Sequence, residues 1–128
     1  MPVDKLSLVV FSGDFERVHY ALAMAAGGVA SNHAVTLFFT MGAARALVDW
    51  HALPGAEADA TLRARGIAGF DDLLDACVAL GVTIMVCEMG LRALGIAAAD
   101  LRPDVPVTPG GIVSFLADAS RDGGMLFI

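Results

Sequence analysis

Apolar residues change their period several times along this chain, and each change marks an element. Leu6-Ser-Leu-Val-Val-Phe11 is a short strand-like run, ended by Ser12-Gly13-Asp14. Asp14 stands where a helix N-cap belongs. Phe15, Val18, Leu22, Ala25, Ala26 and Val29 then recur at three- and four-residue spacing, which predicts an amphipathic helix to about Ser31. Val35 to Thr40 is a solid run rich in β-branched and aromatic residues, the pattern of a strand buried on both faces. Met41 and Gly42 turn the chain into a short helix carrying Ala43 to Trp50. Residues 51–69 hold Pro54, Gly55, Gly66 and Gly69 among mixed charges and read as an irregular excursion.

A helix follows from Phe70 to Leu80. Leu73, Leu74, Cys77 and Leu80 form its apolar face, Asp71 and Asp72 sit in its first turn, and Gly81 caps its end. Val82 to Val86 is the third strand, ending at Cys87. A helix from Met89 to Leu94 stops at Gly95. Three prolines between Arg102 and Pro109 leave room for a short strand at Val105 to Val107. The last helix runs from Gly111 to Ser120 and the last strand from Met125 to Ile128. Continuous apolar strands alternating with helices predict one α/β domain over residues 1–128, a mainly parallel sheet with helices on both faces.

Hydropathy raises the question of a membrane. Val18 to Ala44 is a run of 27 residues without Asp, Glu, Lys or Arg, and mean hydropathy is +0.71. A spanning helix needs only ~20. Ser31, Asn32 and His33 interrupt the run, Gly27 and Gly28 weaken a helix there, and the period changes midway. Helix, turn and buried strand is the better reading, so no transmembrane span is expected. No signal peptide is expected either, because the first apolar run is too short and lacks a basic flank.

Composition sharpens the picture in two ways. The chain is 57% hydrophobic and only 17% charged, against about 45–50% and about 25% in typical domains. The excess calls for a second surface to cover, which predicts a homo-oligomer. Net charge is −6 with one Lys and seven scattered Arg, which excludes a nucleic-acid footprint. Two cysteines without finger-like His or Cys spacing predict neither a structural metal nor a disulfide framework, and no cofactor motif is present.

In a wound parallel sheet, chemistry sits beyond the carboxyl ends of the strands. That rim gathers Ser12, Gly13, Thr40, Met41, Gly42, Glu88, Met89, Gly110 and Gly111 as candidate pocket residues, with Cys87 as the one strongly reactive group. A thiol opening a helix is favoured as thiolate by the backbone N–H groups; Glu88 opposes this and Arg92 partly offsets it. The alternative is a packed, inert cysteine. Cys77, in step with Leu73, Leu74 and Leu80, reads as core. His19, His33 and His51 all fall away from the rim, and Gly110-Gly111 reads as a tight turn rather than an anion cradle.

Leu37-Phe-Phe-Thr-Met-Gly42, Cys87-Glu-Met-Gly-Leu-Arg-Ala-Leu-Gly-Ile96 and the tail from Val107 through Gly110-Gly-Ile-Val-Ser-Phe-Leu-Ala117 to Leu126-Phe-Ile128 resemble the DsrE/DsrF-like superfamily, and most closely its DsrE2-type branch. The resemblance implies a five-stranded, mainly parallel α/β fold, homo- or hetero-oligomers, and cytoplasmic sulfur trafficking. It implies that Cys87 accepts sulfane sulfur as a persulfide from a donor protein and yields it to an acceptor. DsrE2-type relatives often carry a serine two residues after the methionine of the Cys-x-Met element, whereas here the sequence continues Met89-Gly90-Leu91. Two functions follow as expectations: a sulfur carrier or sulfurtransferase-like protein working through Cys87, or a non-catalytic oligomeric module in which Cys87 is structural.

Overall fold

The computed structural model describes residues 4–128. Strand β1 (Lys5–Val10) is followed by helix α1 (Phe15–Ala30) and strand β2 (Ala34–Phe39). A 3-10 turn (Met41–Arg45), α2 (Ala46–Asp49) and a second 3-10 turn (Trp50–Ala52) lead to α3 (Ala58–Ala64) and α4 (Phe70–Ala79). Then come β3 (Thr83–Cys87), α5 (Glu88–Leu94), β4 (Thr108–Gly110), α6 (Ile112–Asp118) and β5 (Gly124–Phe127). All pairings are parallel, and the strand order is β4-β3-β2-β1-β5.

This order decides where the helices lie. The chain steps one strand at a time from β1 to β4, so right-handed crossovers put α1 through α5 on one face. The return from β4 to β5 crosses the whole sheet in the other direction, and that puts α6 on the opposite face. Side-chain parity agrees. Leu8, Val10, Leu37, Phe39, Ile84 and Val86 pack in one cluster with Phe15, Leu22, Leu74 and Cys77. Phe38, Met85 and Cys87 alternate to the other side and meet Phe115 of α6. Helices do cover both faces, but very unequally: a single seven-residue helix serves the second face.

Local chemistry explains most boundaries. The uncharged stretch breaks after α1 because Asn32 takes a left-handed backbone (φ +68°) and starts the turn into β2. Asp14 occupies the N-cap position of α1, but its side chain makes no capping bond; its own N–H instead meets Ser12 Oγ at 3.1 Å. Gly95 ends α5 in the left-handed region at φ +68°.

Three expectations need correction. The excursion at 51–69 contains a helix, α3, whose buried Asp59 accepts the Phe70 N–H at 2.7 Å and so supports the start of α4. The fourth strand lies at Thr108–Gly110 rather than 105–107, because its register to β3 pairs Met85 with Thr108 and Cys87 with Gly110; Val105 is instead buried in the larger core. Leu80 leaves the apolar face of its helix and is exposed, since α4 ends at Ala79.

Candidate functional site

Cys87 ends β3, and its register partner Gly110 ends β4. From here the two strands diverge: the chain leaving β3 enters α5 on the crowded face, and the chain leaving β4 enters α6 on the other. Adjacent strands whose exits part in this way leave a crevice at their carboxyl ends, the recurring place for ligands in open α/β sheets. Cys87 lines a groove of about 440 Å³ there with Met89, Gly111, Ile112, Val113, Ser114 and Ala117. The groove contains no charged side chain. Cys87 itself is only 1% exposed, packed with Phe38, Met85 and Phe115 at the bottom of that groove.

A second recess adjoins the first through shared walls, Met89 and Ile112. Its volume is about 300 Å³, and Thr40 and Met41 help to line it. Phe38 and Phe115 stack at 4.7 Å on its floor, and Phe11 and Phe127 meet at 5.4 Å on its rim. Met41 adopts φ +48°, a left-handed backbone uncommon for any residue but glycine. Gly90 makes this corner possible. A Cβ at Gly90 would fall 2.6 Å from the Met41 nitrogen and 3.2 Å from Thr40 Oγ1. The absence of a side chain after Met89 therefore lets α5 close against the end of β2, and Thr40 brings a hydroxyl to this neighbourhood.

The structure thus gathers Cys87, Met89, Gly111, Thr40 and Met41 around two adjoining recesses, with Gly110 beside Cys87 in the sheet. Glu88 is exposed and lines neither. Gly13 and Gly42 serve a backbone-to-backbone contact, since a Cβ on Gly42 would lie 3.1 Å from the Gly13 Cα. Ser12 serves its own turn. The Gly111 N–H is engaged by Ser114 Oγ at 2.9 Å, the geometry of a tight turn. Sequence reasoning missed the contribution of α6. Ile112, Phe115 and Leu116 carried the signal, as a three- and four-residue apolar spacing with no partner assigned to it.

The histidines stand elsewhere. His19 Nε2 contacts the Ala68 carbonyl at 2.9 Å, His51 pairs with Asp49 at 2.8 Å, and His33 precedes β2 at the far end of the sheet. Cys77 lies across the sheet from Cys87, and both are free thiols. Burial pushes the Cys77 thiol up to about 11. A third cavity, about 450 Å³, is walled by Trp50, Glu57, Asp59, Arg63, Asp71 and Asp72 among others. Asp59 and Asp72 hold N–H groups at the start of α4, and Asp71 accepts from Trp50 and Arg102. No cluster of three or more potential metal ligands occurs among the described residues. Among the same residues, no helix is long and apolar enough to cross a membrane.

Comparison with known proteins agrees with this architecture. An uncharacterized protein of Bacillus subtilis (strain 168), YrkE, is 23% identical over 97% of this chain and 96% of its own length. The crystal structure of the ychN protein from E. coli superposes with a TM-score of 0.62 at 19% identity, covering 99% of this chain and 98% of that one. The structure of MTH1491, a protein of unknown function from Methanobacterium thermoautotrophicum, gives 0.62 at 14% identity over 97% and 98%. The sequence model of the DsrE/DsrF-like family matches residues 5–122, nearly the whole chain, and the chain belongs to that family.

Proposed function

We propose that the protein is a sulfur carrier, or a sulfurtransferase-like protein, that holds sulfane sulfur as a persulfide on Cys87. The observation that carries this reading is the position of Cys87: the carboxyl end of β3, in the crevice where β3 and β4 part, at the bottom of an open groove. Membership of a family associated with sulfur relay supports it, and the DsrE2-type assignment belongs to the same reading. In the loading step the Cys87 thiolate attacks the outer sulfur of a donor persulfide, R–S–SH. A new S–S bond forms on Cys87, the donor's S–S bond breaks, and the donor leaves as R–S⁻ with the electron pair. Attack by an acceptor thiolate on the outer sulfur reverses the exchange, with no net oxidation. Apolar walls serve such an intermediate by limiting water around it. Donor and acceptor are partner proteins in the cytoplasm, and further copies of the chain cover the apolar second face.

The 1% exposure of Cys87 favours a second reading, an assembly module with an inert thiol. One experiment separates the two. The protein is incubated with polysulfide or a persulfidated rhodanese and its intact mass is measured. Gain of one sulfur by wild type and Cys77→Ser, but not by Cys87→Ser, is the expected result. Equal gain by wild type and Cys87→Ser, or no gain at all, leaves only the module.

A further inference from the structure

We propose that β5 is a docking edge for a second copy of the chain, joining two five-stranded sheets into one through antiparallel β5–β5 pairing about a two-fold axis at Leu126. The contact is additional to the cover over the second face and independent of the sulfur-carrier reading, since Cys87 plays no part in it. β5 is the outer strand on its side, with β1 as its one neighbour. Ile128 turns both of its backbone groups to β1: its N–H donates to the Val9 carbonyl at 2.8 Å, and its carbonyl accepts from the Phe11 N–H at 2.7 Å. Residues of a parallel strand turn these groups to alternate sides, so Leu126 also faces β1, while Met125 and Phe127 point their N–H and C=O outward. Among the described residues nothing bonds these four groups.

That spacing is self-complementary. With Leu126 of one copy opposite Leu126 of the other, Met125 stands opposite Phe127 of the second copy and exchanges both hydrogen bonds with it. Phe127 does the same with the second copy's Met125, and all four outward groups are paired. The Leu126 pair on the axis is of the non-hydrogen-bonded kind, with Cα atoms ~4.5 Å apart. On that side of the joined sheet lies the groove between α1 and β5, where Tyr20 and Met24 add apolar surface. On the other side Phe127 lies across from Met125, a sulfur–aromatic pair.

The edge is unprotected, and its charges permit self-contact. Exposed edges are ordinarily blunted by proline, charge or a covering element. β4, the opposite edge, holds Pro109 in three residues. Gly124–Phe127 has neither proline nor charge, and Met125, Leu126 and Phe127 are all exposed. A chain of net charge −6 repels its own copy. Here the charges come in opposite pairs, Glu16 with Arg17 beside the groove and Arg121 with Asp122 before the strand. Tyr20 and the three strand side chains expose on the order of 350–450 Å² per copy, taking ~150–200 Å² for a whole side chain. That is about half of a standard interface, the size of a reversible, micromolar dimer.

Sedimentation of Val113→Asp isolates the edge, because the new charge blocks cover over the second face. This variant is expected to exchange between monomer and dimer with a dissociation constant in the micromolar range. Adding Leu126→Lys, or Leu126→Glu, sets like charges face to face on the axis and weakens the dimer at least ~100-fold. An equal mixture of the two restores it. Leu126→Cys in a Val113→Asp, Cys87→Ser chain is expected to form a covalent dimer on mild oxidation. Met125→Cys in the same chain, off the axis and on the other side of the strand, is not. The inference is overturned if Val113→Asp is monomeric at sub-millimolar concentration, which leaves the edge to another protein's strand. It is equally overturned if the mixture pairs no better than its components, or if Met125→Cys cross-links as readily as Leu126→Cys. The cross-linked chain lacks Cys87, so its outcome stands whatever sulfur loading of the wild type shows.

Discussion

Gly90 is the residue on which the site's geometry is most sensitive. Any Cβ there meets the Met41 backbone nitrogen at 2.6 Å, so Gly90→Ala must push α5 away from the end of β2. Overpacking of this kind costs about 1–3 kcal/mol. Urea unfolding is expected to show that loss. Cys77 supplies a contrast between two buried thiols. It is fully buried in the larger core, its Sγ lies 3.5 Å from the Leu22 carbonyl, and burial holds its pKa at about 11. At pH 8 it is a neutral, enclosed thiol, so an aromatic disulfide reagent labels it only at the rate of unfolding. Equal, rapid labelling of both cysteines in the native protein contradicts this placement.

At the scale of elements, α6 is held by very few contacts. Phe115 anchors its middle. Asp118 anchors its end: its Oδ2 accepts from Lys5 Nζ and from Thr36 Oγ1, each at 2.6 Å. Burial tends to raise the Asp118 carboxyl, but the hydrogen bonds from Lys5 and Thr36 and the lysine charge outweigh it, and the group sits below its ordinary value. A carboxyl lowered in the folded state adds stability that is full above its unfolded pKa, ~3.9. That stability fades as pH falls through the folded value. Protection of the α6 amides, measured against the intrinsic exchange rate at each pH, is therefore expected to fall below about pH 4 while α1 and α4 stay protected. Asp118→Ala is expected to produce the same loosening at pH 7 and to cost about 1–2 kcal/mol. That is low for bonds to a charged group because the carboxylate is 31% exposed. Unchanged exchange in α6 argues against this anchor.

Viewed whole, the molecule has one finished face and one open one. Met89, Ile112, Val113, Leu116, Met125 and Phe127 are 48–83% exposed around the two recesses. Taking ~150–200 Å² for a large apolar side chain, they present on the order of 600–700 Å². A monomer's largest apolar patch is typically ~300–600 Å², and a standard interface covers about 800 Å² per partner. Sedimentation is accordingly expected to give a particle heavier than the 13.2 kDa chain. Val113→Asp with Phe127→Asp, at the most exposed points of the rim, is expected to return it to a monomer. A monomeric wild type at micromolar concentration rejects the assembly.

Much of this was legible in the residues. The runs Leu6–Phe11, Val35–Thr40 and Val82–Val86 announced buried parallel strands because both of their faces are apolar, and they led directly to Cys87 at the rim. The strand at Thr108–Gly110 was not legible: three residues that include Pro109 carry no period, and only the register to β3 defines them. The recess was illegible for a different reason. Thr40, Phe115 and Leu116 are separated by some seventy-five residues and are joined only by the long return to β5, a matter of topology that local pattern does not encode.

That long return also bears on how the chain is made. Leu6 pairs with Ala34's neighbour Val35 on one side, soon after both emerge from the ribosome, but on the other side it must wait for Gly124. Until then β1 offers a bare row of backbone donors and acceptors, the kind of template on which nascent chains stick together. Ribosome-bound chains stalled before residue 124 are expected to recruit holding chaperones strongly, and release of four more residues, Gly124–Phe127, to end that recruitment.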